Sequence, residues 1–344
     1  MSGKRQHYIP QFLQEGFASH KSGDEIFTWV YRKDRPPFNS NIVNVGVEGF
    51  FYTYENDTLV DDNITEAEGT LSELVKTLRE SMPTTISDPK LPGLIAHFEI
   101  RTRHFRQNFL QTGDYIVSRF IDFIADQESF TNYLLRKYQA DPSLMRKYLL
   151  EALSKRGVPQ NMRESMIQMC KPYIPVVMNQ LKAMLPKIAT DLRAIMPKQL
   201  REAAKSGHIR GLKDVDSTEV RIKKYKDFEY TIADVPDSNL ILGDSIVIFQ
   251  VEGQTPYKTF LNKDTILKAV FLPLSPRRVL IGAREGNYSC PPDLQQAIAR
   301  CSLEYFIAHK NCDVNSSLKE YIGEYAPILT KEQLEEIIED VMKQ

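Results

Sequence analysis

The 344-residue chain carries almost no net charge, −1 at neutral pH, so its overall electrostatics select no partner. Cysteine is scarce. Cys170, Cys290, Cys301 and Cys312 form no CxxC pair, which argues against a disulfide framework and for free thiols in a reducing compartment. No apolar run approaches the roughly 18 residues that a membrane helix needs. The opening MSGKRQHYIPQF lacks an apolar stretch before a small-residue cleavage site. The expectation is a cytoplasmic protein with no membrane partner. There is no Walker loop, no GxGxxG after a strand and no GxSxG elbow, which sets aside P-loop nucleotide hydrolysis and α/β-hydrolase chemistry. Internal repeats and low-complexity tracts are absent as well.

What is present is an ordinary globular composition, 42% hydrophobic and 26% charged, enough to bury a sizeable core. The charge is unevenly placed. From Arg136 to Lys213 there are sixteen Lys or Arg against five Asp or Glu, whereas Val314 to Gln344 holds three basic and seven acidic residues. A basic stretch of this kind is either a solvated helical face or a surface for an anionic partner.

Glu25–Arg32 alternates Ile26, Thr28 and Val30 with Phe27, Trp29 and Tyr31, the pattern of a strand with an aromatic face. Pro36 and Pro37 end it, and short strands follow near 39–43 and 50–54. Helices are then expected from Asn63 (as N-cap, with Glu66 completing a capping box) to Ser81, and over 91–110, 114–138 and 143–155. A further helical run over 159–205 is interrupted by Pro172, Pro175, Pro186 and Pro197, each expected to kink it or start a new helix. Residues 207–216 read as a linker. Strands are expected at 228–233, 246–251, 269–274 and 279–283, then helices at 292–309 and 331–342. Strands toward both ends, in antiparallel or mixed sheet, around a helical middle make the fold class α+β.

The motifs HYIPQF, IFTWVY, FYT, IRTRHF, LILGDSIV, FLPLSP and ARCSLEYF follow one another from His7 to Phe306. In that order they resemble a bacterial domain-of-unknown-function family, number 4238, over about 6–311. The resemblance implies one α+β domain over 1–311, with the basic helices at 136–213 and an acidic helical extension at 312–344. It singles out His7, Tyr8, Pro10, Arg101, Thr102 and Asp244. Two positions depart from the family's pattern: Arg103 stands where a proline is common, and Ser245-Ile246 follow Asp244 where Asn-Pro is common, which puts a tight turn there in question. The family brings no activity, so the chemistry must come from the residues.

Over 91–110, Leu94, Phe98, Phe105 and Phe109 form an apolar stripe with Arg101 at its edge, and His97, Arg101 and His104 share one flank. A guanidinium pressed into such a face requires a carboxylate or an anionic ligand, since an unpaired buried charge costs several kcal/mol. Asp244 is the candidate partner. Two readings stand: an anion site with Arg101 as clamp and His7, His104 or Asp244 in acid–base or metal work, or a structural Arg101–Asp244 pair. Tyr8, His97 and Thr102 would support either. Arg277 and Arg278, after the strand ending in PLSP, offer two guanidiniums to phosphate or decorate a sheet edge. A divalent metal on Asp244 and Glu252 lacks the lysine of a nuclease strand, and Cys301, His309 and Cys312 fit no closed zinc pattern. The leading expectation is a protein that binds a phosphate-bearing partner, most plausibly nucleic acid, with phosphodiester cleavage by His7, Arg101, His104 and Asp244 as an extension. The alternative is a non-catalytic scaffold with a protein partner.

Overall fold

The computed structural model describes residues 5–52, 59–213, 215–235, 239–261, 265–284, 288–327 and 331–343. The fold is α+β, with antiparallel sheets built from strands toward the two ends of the chain. It divides into two compact units, residues 1–110 with 203–344, and residues 111–202.

The first unit holds the sheets. A six-stranded sheet runs in the order Tyr257–Lys258, Ile248–Val251, Leu267–Ser275, Arg278–Ala283, Glu229–Asp234, Thr84–Ile86. Its centre, Leu267–Ser275 paired with Arg278–Ala283, reads almost continuously apolar, as a strand buried on both faces must. A second sheet centres on Glu25–Arg32, paired with His20–Ser22, Arg35–Asn41 and Tyr305–Ala308; Leu242–Gly243 extends it beyond the last of these. Phe249, Leu272, Leu280, Phe98 and Val75 are among the fully buried residues of the main core.

Helix ends depart from the sequence expectation where distant residues intervene. The helix expected over 91–110 is two, Leu91–Arg101 and Arg103–Ala125, broken at Thr102, whose ψ of 149° is extended. No proline or glycine forces the break. The carbonyls it frees are taken up instead: His208 Nε2 lies 2.9 Å from the Ile100 oxygen, and the Tyr52 hydroxyl donates to that of Arg101 at 3.2 Å. Asn63 lies inside the helix Leu59–Glu80 rather than before it. Asp126 divides the helix expected over 114–138, accepting from the Ser129 amide as the N-cap of Gln127–Ala140. Residues 207–213 belong to the helix Ile174–Lys213, and Val215–Tyr225 is helical too, so the described residues of the expected linker are helical; buried His208 and Ile209 anchor the segment despite Gly207 and Gly211. Pro186 and Pro197 both lie within that long helix. The helix expected over 292–309 stops at Cys301, because Tyr305–Ala308 pairs with 29–32 as a strand. Residues 50–52 form no strand, and 53–54 lie outside the described residues.

The second unit is helical. Ile121, Ile124, Leu185 and Ala189 make its small buried core. None of the helices among the described residues is long and apolar enough to cross a membrane.

Candidate functional site

Arg101 is 2% exposed, so its charge must be answered from within the fold. It donates from Nε to the Tyr52 hydroxyl at 2.8 Å, from Nη1 to His97 Nε2 at 3.2 Å and from Nη2 to the His7 carbonyl at 2.5 Å. Its carboxylate is Glu68 on the helix Leu59–Glu80. Burial opposes the charge, yet Tyr52 and Glu68 hold the guanidinium pKa above its ordinary value. The expected partner, Asp244, is elsewhere. Its Oδ1 accepts from the Leu303 amide at 2.7 Å, and its Oδ2 from Glu304 at 2.8 Å and Tyr305 at 3.3 Å. Asp244 therefore holds the corner between the helix Leu294–Cys301 and the strand Tyr305–Ala308. Burial pushes its pKa up to about 6 against the pull of those amides. The questioned turn forms without proline: Ile246 donates to the Gly243 carbonyl at 3.0 Å with φ of +62°, a value proline cannot adopt.

The histidines are committed one by one. An arginine only donates, so His97 Nε2 must accept from Arg101, which leaves the proton on Nδ1. His208 keeps Nδ1 for Arg106 Nη2 at 3.1 Å and donates from Nε2 to Ile100. His7 donates from Nδ1 to the Val45 carbonyl at 3.2 Å and accepts from Gln11 at 3.0 Å. His104 faces the Thr259 hydroxyl at 2.7 Å through Nε2, while its buried Nδ1 has no partner. A bare acceptor costs less than a bare donor, so His104 carries its proton on Nε2. Burial holds all four imidazoles neutral, with pKa values lowered to about 4 for His7, His104 and His208 and about 3 for His97, where Arg101 adds to the effect.

The structure thus brings Arg101, His97 and the backbone of His7 together, and places His104 and Asp244 on other contacts. Tyr8 is buried, with its hydroxyl 3.1 Å from that of Tyr305, and Thr102 is the buried extended link between helices. Arg278 reaches back to the Arg79 and Ser81 carbonyls, closing the C-terminus of the helix Leu59–Glu80, and pairs with Asp234 at 3.4 Å. Arg277, beside it, is exposed, so the two guanidiniums do not act as one fork. Glu252 pairs with Lys268 at 3.6 Å. Cys301 is fully buried, its thiol pKa raised by burial, and no three His, Cys, Asp or Glu among the described residues are placed to hold a metal.

Sequence reasoning missed the second buried arginine. Arg106 lies over the Phe51 ring, donates to the Phe51 carbonyl and stands 3.5 Å from Glu48. Arg103, at the departure from the family's proline, pairs with Glu304 at 2.8 Å and Glu48 at 3.3 Å. A run of three arginines within six residues was the available signal.

The 111–202 unit is different in kind. It holds fourteen Lys or Arg against nine Asp or Glu, an excess of five. Arg146, Lys155, Lys182 and Arg193 are paired with acids, but Arg136, Lys147, Arg156, Lys187 and Arg201 are exposed and hold no ion pair among the described residues. Phe120, Tyr148 and Tyr173 stand in solvent at 55%, 60% and 64% exposure.

No curated protein and no solved structure matches the chain. A family described as a protein of unknown function, DUF4238, matches residues 5–332, nearly the whole length, and the chain belongs to that family.

Proposed function

We propose that this protein binds a phosphate-bearing partner, nucleic acid first among them, through the helices of residues 111–202. The observation that carries the reading is that Arg136, Lys147, Arg156, Lys187 and Arg201 are exposed with no ion pair among the described residues, in the same unit as exposed Phe120, Tyr148 and Tyr173. Lys and Arg attract phosphate, and aromatic faces accept unstacked bases regardless of sequence. Binding without cleavage is the better-supported form. His7, Arg101 and Asp244 spend their hydrogen bonds on the fold, His104 is held by Thr259, and neither imidazole hydrogen-bonds to Asp244. The four free cysteines suit a reducing, cytoplasmic setting.

The test is a mobility-shift titration of single-stranded and duplex oligonucleotides between 50 and 200 mM salt. Five phosphate contacts on duplex give a log–log salt slope of about −4.5, a loss of roughly 500-fold over that range. Replacing the five cations with glutamine flattens the slope. Binding that ignores salt, or survives the substitutions unchanged, refutes the reading.

A second reading has its own observation. Among the described residues of this unit, ten large apolar side chains are exposed, including Met162, Met169, Val176, Val177 and Met184. Such a surface suits a protein partner. Serine at Val176, Val177 and Met184 would then abolish complex formation while leaving oligonucleotide binding intact.

A further inference from the structure

The first unit contains a cavity of about 480 Å³ that the buried arginine network does not fill. This volume lies within the roughly 300–1,000 Å³ of small-molecule sites. Its walls are apolar: Ile64 and Leu71 on the helix Leu59–Glu80, Ile100 on Leu91–Arg101, with Leu212 and Ile222.

Three features give it polarity and shape. His97 lines it, and because Nε2 is occupied by Arg101, the proton rests on Nδ1, which has no hydrogen-bond partner among the described residues. Lys90 stands at its wall, exposed and without an ion pair among the described residues; the nearest acid in sequence, Asp88, is engaged with the Lys90 amide at 2.8 Å. Glu68, the acid on the adjoining helix, is paired with Arg101. The third feature is Gly93. It lies inside a helix, where glycine costs about 1 kcal/mol relative to alanine. A Cβ built on it would meet no atom within 4 Å. The helix forgoes a side chain where one would occupy the cavity. The site therefore offers one cation, one ring N–H and the Thr70 hydroxyl over a hydrocarbon floor, with no free carboxylate among its lining residues.

We infer that this cavity is a binding site for a small amphipathic carboxylate, an apolar chain or aryl body ending in a single anionic head, with Lys90 and His97 taking the head and the isoleucine and leucine walls taking the body. The inference is independent of nucleic-acid binding, which rests on the other unit. The floor discriminates poorly between apolar bodies, because each methylene is worth only about 0.8 kcal/mol wherever it lies. The head carries the selectivity.

The probes are decanoate and decylammonium, below their aggregation concentrations, followed by calorimetry and by thermal unfolding read from Trp29, the sole tryptophan and part of this unit. Decanoate is expected to bind and raise the unfolding midpoint, and decylammonium to do neither. Lys90→Gln should weaken decanoate by about fivefold, the scale of an exposed ion pair. Gly93→Leu should abolish binding while leaving the ligand-free midpoint unchanged or higher. Should that variant fold poorly, Gly93→Ala takes its place, with a weaker affinity expected. Absence of decanoate binding, equal response to the two head groups, or full affinity in the folded glycine variant overturns the inference.

Discussion

Replacing Arg101 with methionine should cost the first unit about 3 kcal/mol, and the figure follows from what the guanidinium touches. Methionine matches its length and remains apolar, so the change removes charge and donors with little change in volume. The Glu68 carboxylate loses its counter-charge, the Tyr52 hydroxyl and the His97 Nε2 lose a donor, and the His7 carbonyl keeps only Tyr52, at 3.4 Å. Removing one partner of a buried pair costs about 3–5 kcal/mol. Glu68 is 30% exposed, so water recovers part of its solvation and the lower end applies.

The assay is urea unfolding followed through the emission of Trp29, which lies on Glu25–Arg32 in the same unit as Arg101 and so reports that unit's transition. A double-mutant cycle sharpens it. Glu68→Gln alone leaves a buried guanidinium with neutral acceptors only, whereas the double variant removes both charges, so a coupling of about 1–2 kcal/mol is expected between them. A loss below about 1 kcal/mol for Arg101→Met, or a cycle that simply adds, refutes the placement of this arginine at the centre of the helix–helix junction.

Two further outcomes follow from buried groups. Because His7, His104 and His208 have folded pKa values near 4, below an unfolded value near 6.5, the unfolded chain binds more protons in that window. Their contribution to stability is complete above about pH 6.5 and is lost as pH falls toward 4; resonances of His7, His104 or His208 that titrate near 6.5 in the folded protein would contradict it. The glycines predict opposite signs. Gly16→Ala pushes a Cβ into the Leu274 carbonyl and to 2.5 Å from Arg79 Nη2, where Arg79 already donates to Leu274 and Leu13, and should destabilise by about 1–3 kcal/mol. Gly93→Ala meets open space and should stabilise by up to about 1 kcal/mol. Equal unfolding midpoints for the two variants would show that the packing around Gly16 yields.

Much of the sheet was legible because its signals are local. Glu25–Arg32 alternates two faces, and Leu267–Ser275 and Arg278–Ala283 are apolar runs too short for helices and bounded by turn residues, so their strands fall within two residues of expectation. The break at Thr102 was not legible. Neither residue that stabilises it, Tyr52 or His208, is within 40 positions of it in sequence, and Thr102 itself is only mildly unfavourable in a helix. The same limit governs Arg101. That a guanidinium between Phe98 and Phe105 needs a negative companion follows from solvation alone. Which carboxylate answers it depends on how the helix Leu59–Glu80 packs, and no spacing rule distinguishes Glu68 from Asp244 in advance.

The histidines show how one buried cation determines the chemistry around it. A protonated imidazole beside Arg101 or Arg106 would place two positive charges in contact and remove the acceptor each arginine uses. His97 and His208 are therefore fixed as neutral rings with one nitrogen committed to a guanidinium, and neither can take up a proton without breaking that contact. The nitrogens they retain differ in consequence. His208 spends its N–H on a helix carbonyl and is finished as a reactive group, whereas His97 presents its N–H to a cavity with a lysine at the wall. A neutral ring whose other nitrogen is committed to Arg101 cannot act as a base, so what His97 itself offers at that wall is an N–H donor to an anionic or carbonyl-bearing group.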